Sequence, residues 1–187
     1  IDGNAFTISV KNGNLYDVDL SNTTISIIQK NKETNFNATV KTKGKFNFSE
    51  TKKISSILNF NIEKFNDING TAELNTDINF KINKNLRIKD LKYKVNGNIS
   101  YIELLPKRKL DLNKFLPGHK NKIVLKKVAI NLTRSKIERE ISLDGFVKIN
   151  SKFNKFNLKE IYKHKRKVHD IKGKIDLTHS QISIPNL

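Results

Sequence analysis

Cysteine is absent from this chain, which excludes disulfides, thiolate zinc sites and thiol nucleophiles, and fits either the cytoplasm or a bacterial envelope compartment. Methionine and tryptophan are also missing, and proline occurs only three times in 187 residues. No apolar run approaches the roughly 18 residues that a membrane helix needs, and no signal peptide is visible. With no methionine even at position 1, the chain is expected to be a piece of a longer protein. Arginine is scarce as well: Arg87, Arg108, Arg134, Arg139 and Arg166 are the only five among 36 basic residues. The net charge of +18 invites a reading as a binder of anions, yet lysine lacks the planar fork that reads bases and phosphates bidentately. The abundance of Lys, Asn and Ile is also what an AT-rich genome writes whatever the function. We therefore expect no specific nucleic-acid site.

What the sequence has is alternation. From Ala72 to Ile82 the even positions read Ala, Leu, Thr, Ile, Phe, Ile, and the odd positions from Thr71 to Lys81 read Thr, Glu, Asn, Asp, Asn, Lys. A strand with one buried face produces this pattern, because successive side chains point to opposite sides of the pleat. Similar alternation predicts strands near 4–10, 14–20, 24–29, 35–41, 43–48, 70–82, 90–104, 122–132, 139–153, 171–178 and 181–185. Seven of the eight glycines stand at the head of these stretches or inside them, as a strongly curved sheet with bulges requires; Gly118, in "LPGHK", reads as a turn. Two phase changes mark expected bends. Apolar residues sit at odd positions through Tyr101 and at even ones from Ile102, and a similar switch falls within "LKKV". "RSKIERE" (134–140) reads as an exposed turn between strands.

Helix is expected only in short pieces. "SETKKISSILNF" (49–60) offers Ser49 as a cap, Glu50 in the first turn and Ile54, Ile57 and Leu58 at i, i+3 and i+4. "NLKEIYKHKRK" (157–167) offers Asn157 as a cap with Leu158, Ile161 and Tyr162 on one side. The fold class expected is thus all-β: one strongly curved, twisted antiparallel sheet, open and groove-like, with one or two short helices, spanning 1–187 as a single β-rich unit.

The succession "VKTKGKFNF", "SETKKISSILNF" and "INGTAELNTDINFKINKNLRIKDLKYKVNGNISYIEL" resembles the repeating-strand domain of the AsmA-like superfamily, in particular its YhdP-type members. Gly70 leads the first strand, "KINKNLRIKDLKY" matches the connector and charged turn, and Gly97 lies in the second strand. Ile82-Asn83 stands where the family usually has Pro-Leu. The match covers residues 40 to 104, about a third of the chain. The resemblance implies a periplasmic protein attached to the inner membrane of a Gram-negative-type bacterium through parts outside this segment. Its apolar β-groove would carry phospholipid acyl chains between inner and outer membranes. The residues expected to line that groove are Leu74, Ile78, Phe80, Ile82, Leu91, Tyr93, Val95, Ile99, Val128, Ile130, Leu132, Ile141, Leu143, Val147 and Ile149. Read from the residues alone, the same faces equally describe a closed core.

Catalytic chemistry is poorly represented. His119, His164, His169 and His179 are scattered, Asp17 with Asp19 and Glu138 with Glu140 each share a strand face without other catalytic features, and no phosphate-cradling loop appears. No enzyme activity, metal or cofactor is expected. Two other functions compete with lipid carriage. One is an envelope assembly module that pairs sheet edges with adjoining segments of the same chain or with partners. The other is a basic β domain that binds anions or nucleic acid through "LPKRKL", "KNKIVLKK" and "KHKRK".

Overall fold

The computed structural model describes residues 4–15, 18–30, 33–58, 62–85, 87–109, 121–178 and 180. Nine strands and one helix follow one another as β1 (Ala5–Leu15), β2 (Val18–Lys30), β3 (Glu33–Asn47), α1 (Phe48–Leu58), β4 (Phe65–Ile82), β5 (Ile88–Pro106), β6 (Ile123–Arg134), β7 (Glu138–Ile149), β8 (Lys152–Lys163) and β9 (Val168–Ile175). The strands form one antiparallel meander in which spatial order equals chain order, and the sheet is not closed. The fold class is therefore the all-β one expected, with one helix.

Register puts the alternating faces together. Phe36 lies opposite Phe80, Ile78 opposite Tyr93, Val95 opposite Leu132, and Leu132 opposite Ile141. In an antiparallel pair such partners share a face, so the oily sides of successive strands merge into one apolar face. The other face is polar: the exposed Lys43 pairs with Glu73 at 3.3 Å and Lys159 with the half-buried Glu140 at 2.8 Å, surface pairs worth about 0–1 kcal/mol each. An Asn79 amide also bonds to Asn37.

Among the described residues every strand meets only its neighbours in sequence, α1 touches only β3 and β4, and beyond β9 Ser180 bonds to the buried Asn154 on the apolar face. Val128 is nevertheless 0% exposed, and Ala72, Ile99 and Phe156 cluster with it. This burial coincides with the place where the twisted sheet bends. The bends are visible in the ladders. Ser100 is the extra residue between the pairs Thr71–Tyr101 and Ala72–Ile99, and Lys127, with φ of 49°, bulges between Lys126–Phe146 and Ala129–Asp144. These adjacent bulges are the physical source of both phase changes in the sequence. Gly145 sits opposite the second one, where a Cβ would lie 2.8 Å from both the Lys127 carbonyl oxygen and the Val128 Cα. Gly97, at φ of 152°, lies across from Leu74, and a Cβ there would run into the Glu73 carbonyl. Only glycine tolerates both the dihedral and the approach.

Several expected elements are corrected. Residues 157–167 are not helical: Asn157 to Lys163 belong to β8, where Leu158 faces Leu143 and Tyr162 faces Arg139. The expected strand 139–153 is broken by a two-residue turn at Asn150-Ser151, with Asn150 at φ of 55°. The expected strand 14–20 instead contains the β1–β2 reversal, whereas 35–41 and 43–48 are one strand, β3. Helix α1 starts earlier than expected. Asn47, not Ser49, caps it: the Asn47 side-chain oxygen accepts the Glu50 amide at 3.1 Å and the Glu50 carboxylate accepts the Asn47 amide at 3.0 Å, a reciprocal capping box. Ile54, expected on the packed side, is 44% exposed, while Glu50 and Ser55 are buried. The strand expected at 181–185 and the turn around Gly118 lie outside the described residues.

Candidate functional site

The apolar face is the feature of the molecule that ordinary folding does not fully use. Leu74, Ile78, Phe80 and Ile82 come from β4, Leu91, Tyr93, Val95 and Ile99 from β5, Val128, Ile130 and Leu132 from β6, and Ile141, Leu143, Val147 and Ile149 from β7. Register and alternation bring all fifteen to the same face. They are not equivalent. Tyr93, Val95, Ile99, Val128 and Ile149 are buried, Ile99 and Val128 in the cluster at the bulges, whereas the other ten are half-buried.

The face reaches further than the sequence alone led us to expect. Phe36 stacks on Phe80 with ring centroids 4.6 Å apart, extending it into β3. Ile25 and Ile27 continue it into β2, and Phe6 and Ile8, about half exposed or more, into β1. On the other side Phe156 and Leu158 carry it into β8, and Ile171 and Ile175 into β9. The signal for β8 was present as a period of two through Asn154, Phe156, Leu158, Glu160 and Tyr162, but a charged residue inside it hid the alternation. Two buried hydroxyls on this face, Thr23 Oγ1 and Tyr93 Oη, have no hydrogen-bond partner among the described residues.

At the turn end of β6, β7 and β8 the apolar lining gives way to a polar cap. Arg134 lies directly opposite Arg139, and Arg139 opposite Tyr162. An Arg139 nitrogen reaches Glu160 Oε1 at 3.3 Å, and His169 Nδ1 approaches the same oxygen at 2.6 Å. The Arg139 guanidinium stands 5.6 Å from the Tyr162 ring centre, and that ring touches His164 edge-on at 5.3 Å and His169 at 4.5 Å. His164 and His169, scattered in sequence, thus meet across one tyrosine. Burial, and then the charges of Arg134 and Arg139, push the His164 pKa below its ordinary 6.5. The buried His164 Nε2 and Arg139 Nε have no partner among the described residues.

Groups that would do chemistry do not converge. Among the described residues no set of three His, Asp or Glu side chains is arranged to hold a metal ion. Glu138 and Glu140 fall on the polar face opposite Lys163 and Ile161, and Asp19 lies on that face opposite Lys43. Two shallow depressions of about 410 Å³ each also open on the polar side, lined mainly by Asn, Thr, Ser, Asp and Lys. No described helix is long and apolar enough to cross a membrane. No family model matches the chain, and neither the curated proteins nor the solved structures offer a match.

Proposed function

We propose that this chain is a segment of a YhdP-type, AsmA-like envelope protein, attached to the inner membrane through other parts of its parent, and that its apolar face carries phospholipid acyl chains across the periplasm. The observation supporting this reading is the continuous apolar face of an open nine-stranded sheet, ten of whose fifteen expected lining residues remain half-buried rather than sealed. Acyl chains need area and nothing directional, at about 0.8 kcal/mol per buried CH2. The fifteen lining positions supply that without a charge among them, and Arg134 and Arg139, at the ends of β6 and β7 on the same face, bound it.

The test is native mass spectrometry and lipid extraction of the chain after expression in a bacterial envelope. Phospholipid should co-purify with the wild type and be lost when the half-buried Ile78, Phe80 and Leu132 are changed to Asp, with circular dichroism unchanged. A lipid-free wild type, or one that unfolds with these changes, would mean that the face is only a core. The assembly reading keeps one specific support: among the described residues both outer strands leave an edge unpaired, and β9 is exposed along its whole length.

A further inference from the structure

The polar face holds a second pattern that sequence order disguises. Reading across the sheet in register, Tyr101 on β5 lies opposite Lys126 on β6, Lys126 opposite Phe146 on β7, and Phe146 opposite Lys155 on β8. One step along, Lys148 lies opposite Phe153, and the Lys126 ammonium stands 5.6 Å from the Phe153 ring centre. Rings and cations therefore alternate strand by strand, about 4.8 Å apart. On a water-facing surface the rings should be hidden or absent, yet Tyr101, Phe146 and Phe153 are 41%, 37% and 41% exposed. The rings are thus only partly covered by their own sheet, where Val124 on the same face is buried. The exposed remainder is what calls for a partner.

We propose that this basic and aromatic patch docks on the headgroup layer of an anionic lipid bilayer. Charge complementarity carries the choice of partner. Lysine beside half-exposed aromatic rings is the composition of an interfacial contact, in which rings settle among headgroups and each ammonium adds attraction to acidic lipid. Leu105, beyond Glu103 on the same face, is 38% exposed, and the exposed Lys107, Arg108 and Lys109 follow after Pro106. An aliphatic side chain gains from the apolar boundary of a bilayer but offers nothing for a nucleobase to stack upon. Tyr101 donates its hydroxyl hydrogen bond to Glu103 at 2.9 Å, and that carboxylate is paired with Lys122, so it takes little from the basic character of the patch.

The patch faces away from the proposed acyl-chain groove, so the two readings stand or fall separately. Flotation of the whole chain with phosphatidylcholine vesicles, with and without phosphatidylglycerol, tests it. Binding should require phosphatidylglycerol and weaken with salt. Changing both Lys126 and Lys155 to Gln should lower partitioning roughly 20- to 30-fold. Changing Phe146 and Phe153 to Ser, with circular dichroism unchanged, should lower it about tenfold or more. The groove changes at Ile78 and Phe80 should leave it intact. Equal binding to neutral vesicles, no binding at all, indifference to the ring changes, or tighter binding to a polythymidine strand than to the anionic vesicles would each overturn the proposal.

Discussion

Gly97 shows how much a single residue decides here. Its side-chain position points onto the apolar face, where an added Cβ meets the backbone of β4 at Glu73 and Leu74. Backbone cannot yield as a flexible side chain can, and φ of 152° excludes ordinary L-residues in any case. Gly97→Val should therefore destabilise by at least about 2–3 kcal/mol, even though valine is the better strand former elsewhere. Urea denaturation followed by circular dichroism checks this, and a neutral or stabilising result would mean that the curvature at Gly97 is not needed. The glycines were legible in sequence as recurring marks inside strands, and so were the bulges, because apolar residues changed parity at Tyr101 and within "LKKV". The cause was not legible: only pairing shows that the two bulges sit side by side in β5 and β6 and that Gly145 makes room for one of them.

Among elements, β8 is the instructive failure. Asn157, Leu158, Ile161 and Tyr162 carry a helical spacing as well as a strand alternation, and a short amphipathic stretch cannot separate the two by periodicity. Pairing with β7 on one side and β9 on the other decided it, a tertiary choice that overrides local preference. Because β8 is a strand, Tyr162 and the turn residue His164 are brought beside His169 and Arg139, an arrangement that a helix would have scattered. The consequence is a dependence on pH. The folded state holds the His164 pKa below 6.5, chiefly by burial, so the unfolded chain binds its proton more readily. Its contribution is fully present above pH 6.5 and is lost as pH falls towards the lowered folded value. The charges of Arg134 and Arg139 add to this shift, and backbone hydrogen bonds at Glu138 and Ser135 oppose it. Denaturant midpoints should fall on moving from neutral pH to below 6, and His164→Asn should flatten that fall specifically. An equal slope in the variant would assign the acid sensitivity elsewhere.

At the scale of the whole molecule, the apolar face was legible residue by residue because a period of two survives any uncertainty about which strand pairs with which. All fifteen expected lining positions share that face, yet whether it closes on itself depends on strand order, which alternation does not encode. Among the described residues the meander leaves β1 and β9 as edges, with Phe6 at 60% and Ile171 at 62% exposure beside unpaired backbone. Such edges template pairing unless charge opposes it. Lys172 and Lys174 lie on β9, and a net charge of +18 repels a second copy as a whole. That repulsion acts through solvent and shortens from about 10 Å at 0.1 M salt to about 3 Å at 1 M, whereas hydrogen bonding along an edge does not. Sedimentation velocity should therefore find a monomer at low salt and edge-paired dimers or longer arrays as salt rises. Ile171→Lys, which places charge on the apolar side of the edge, should hold the protein monomeric throughout. Association that persists in that variant would locate the contact on a sheet face, and a monomer at every salt concentration would remove edge pairing as a role for this sheet.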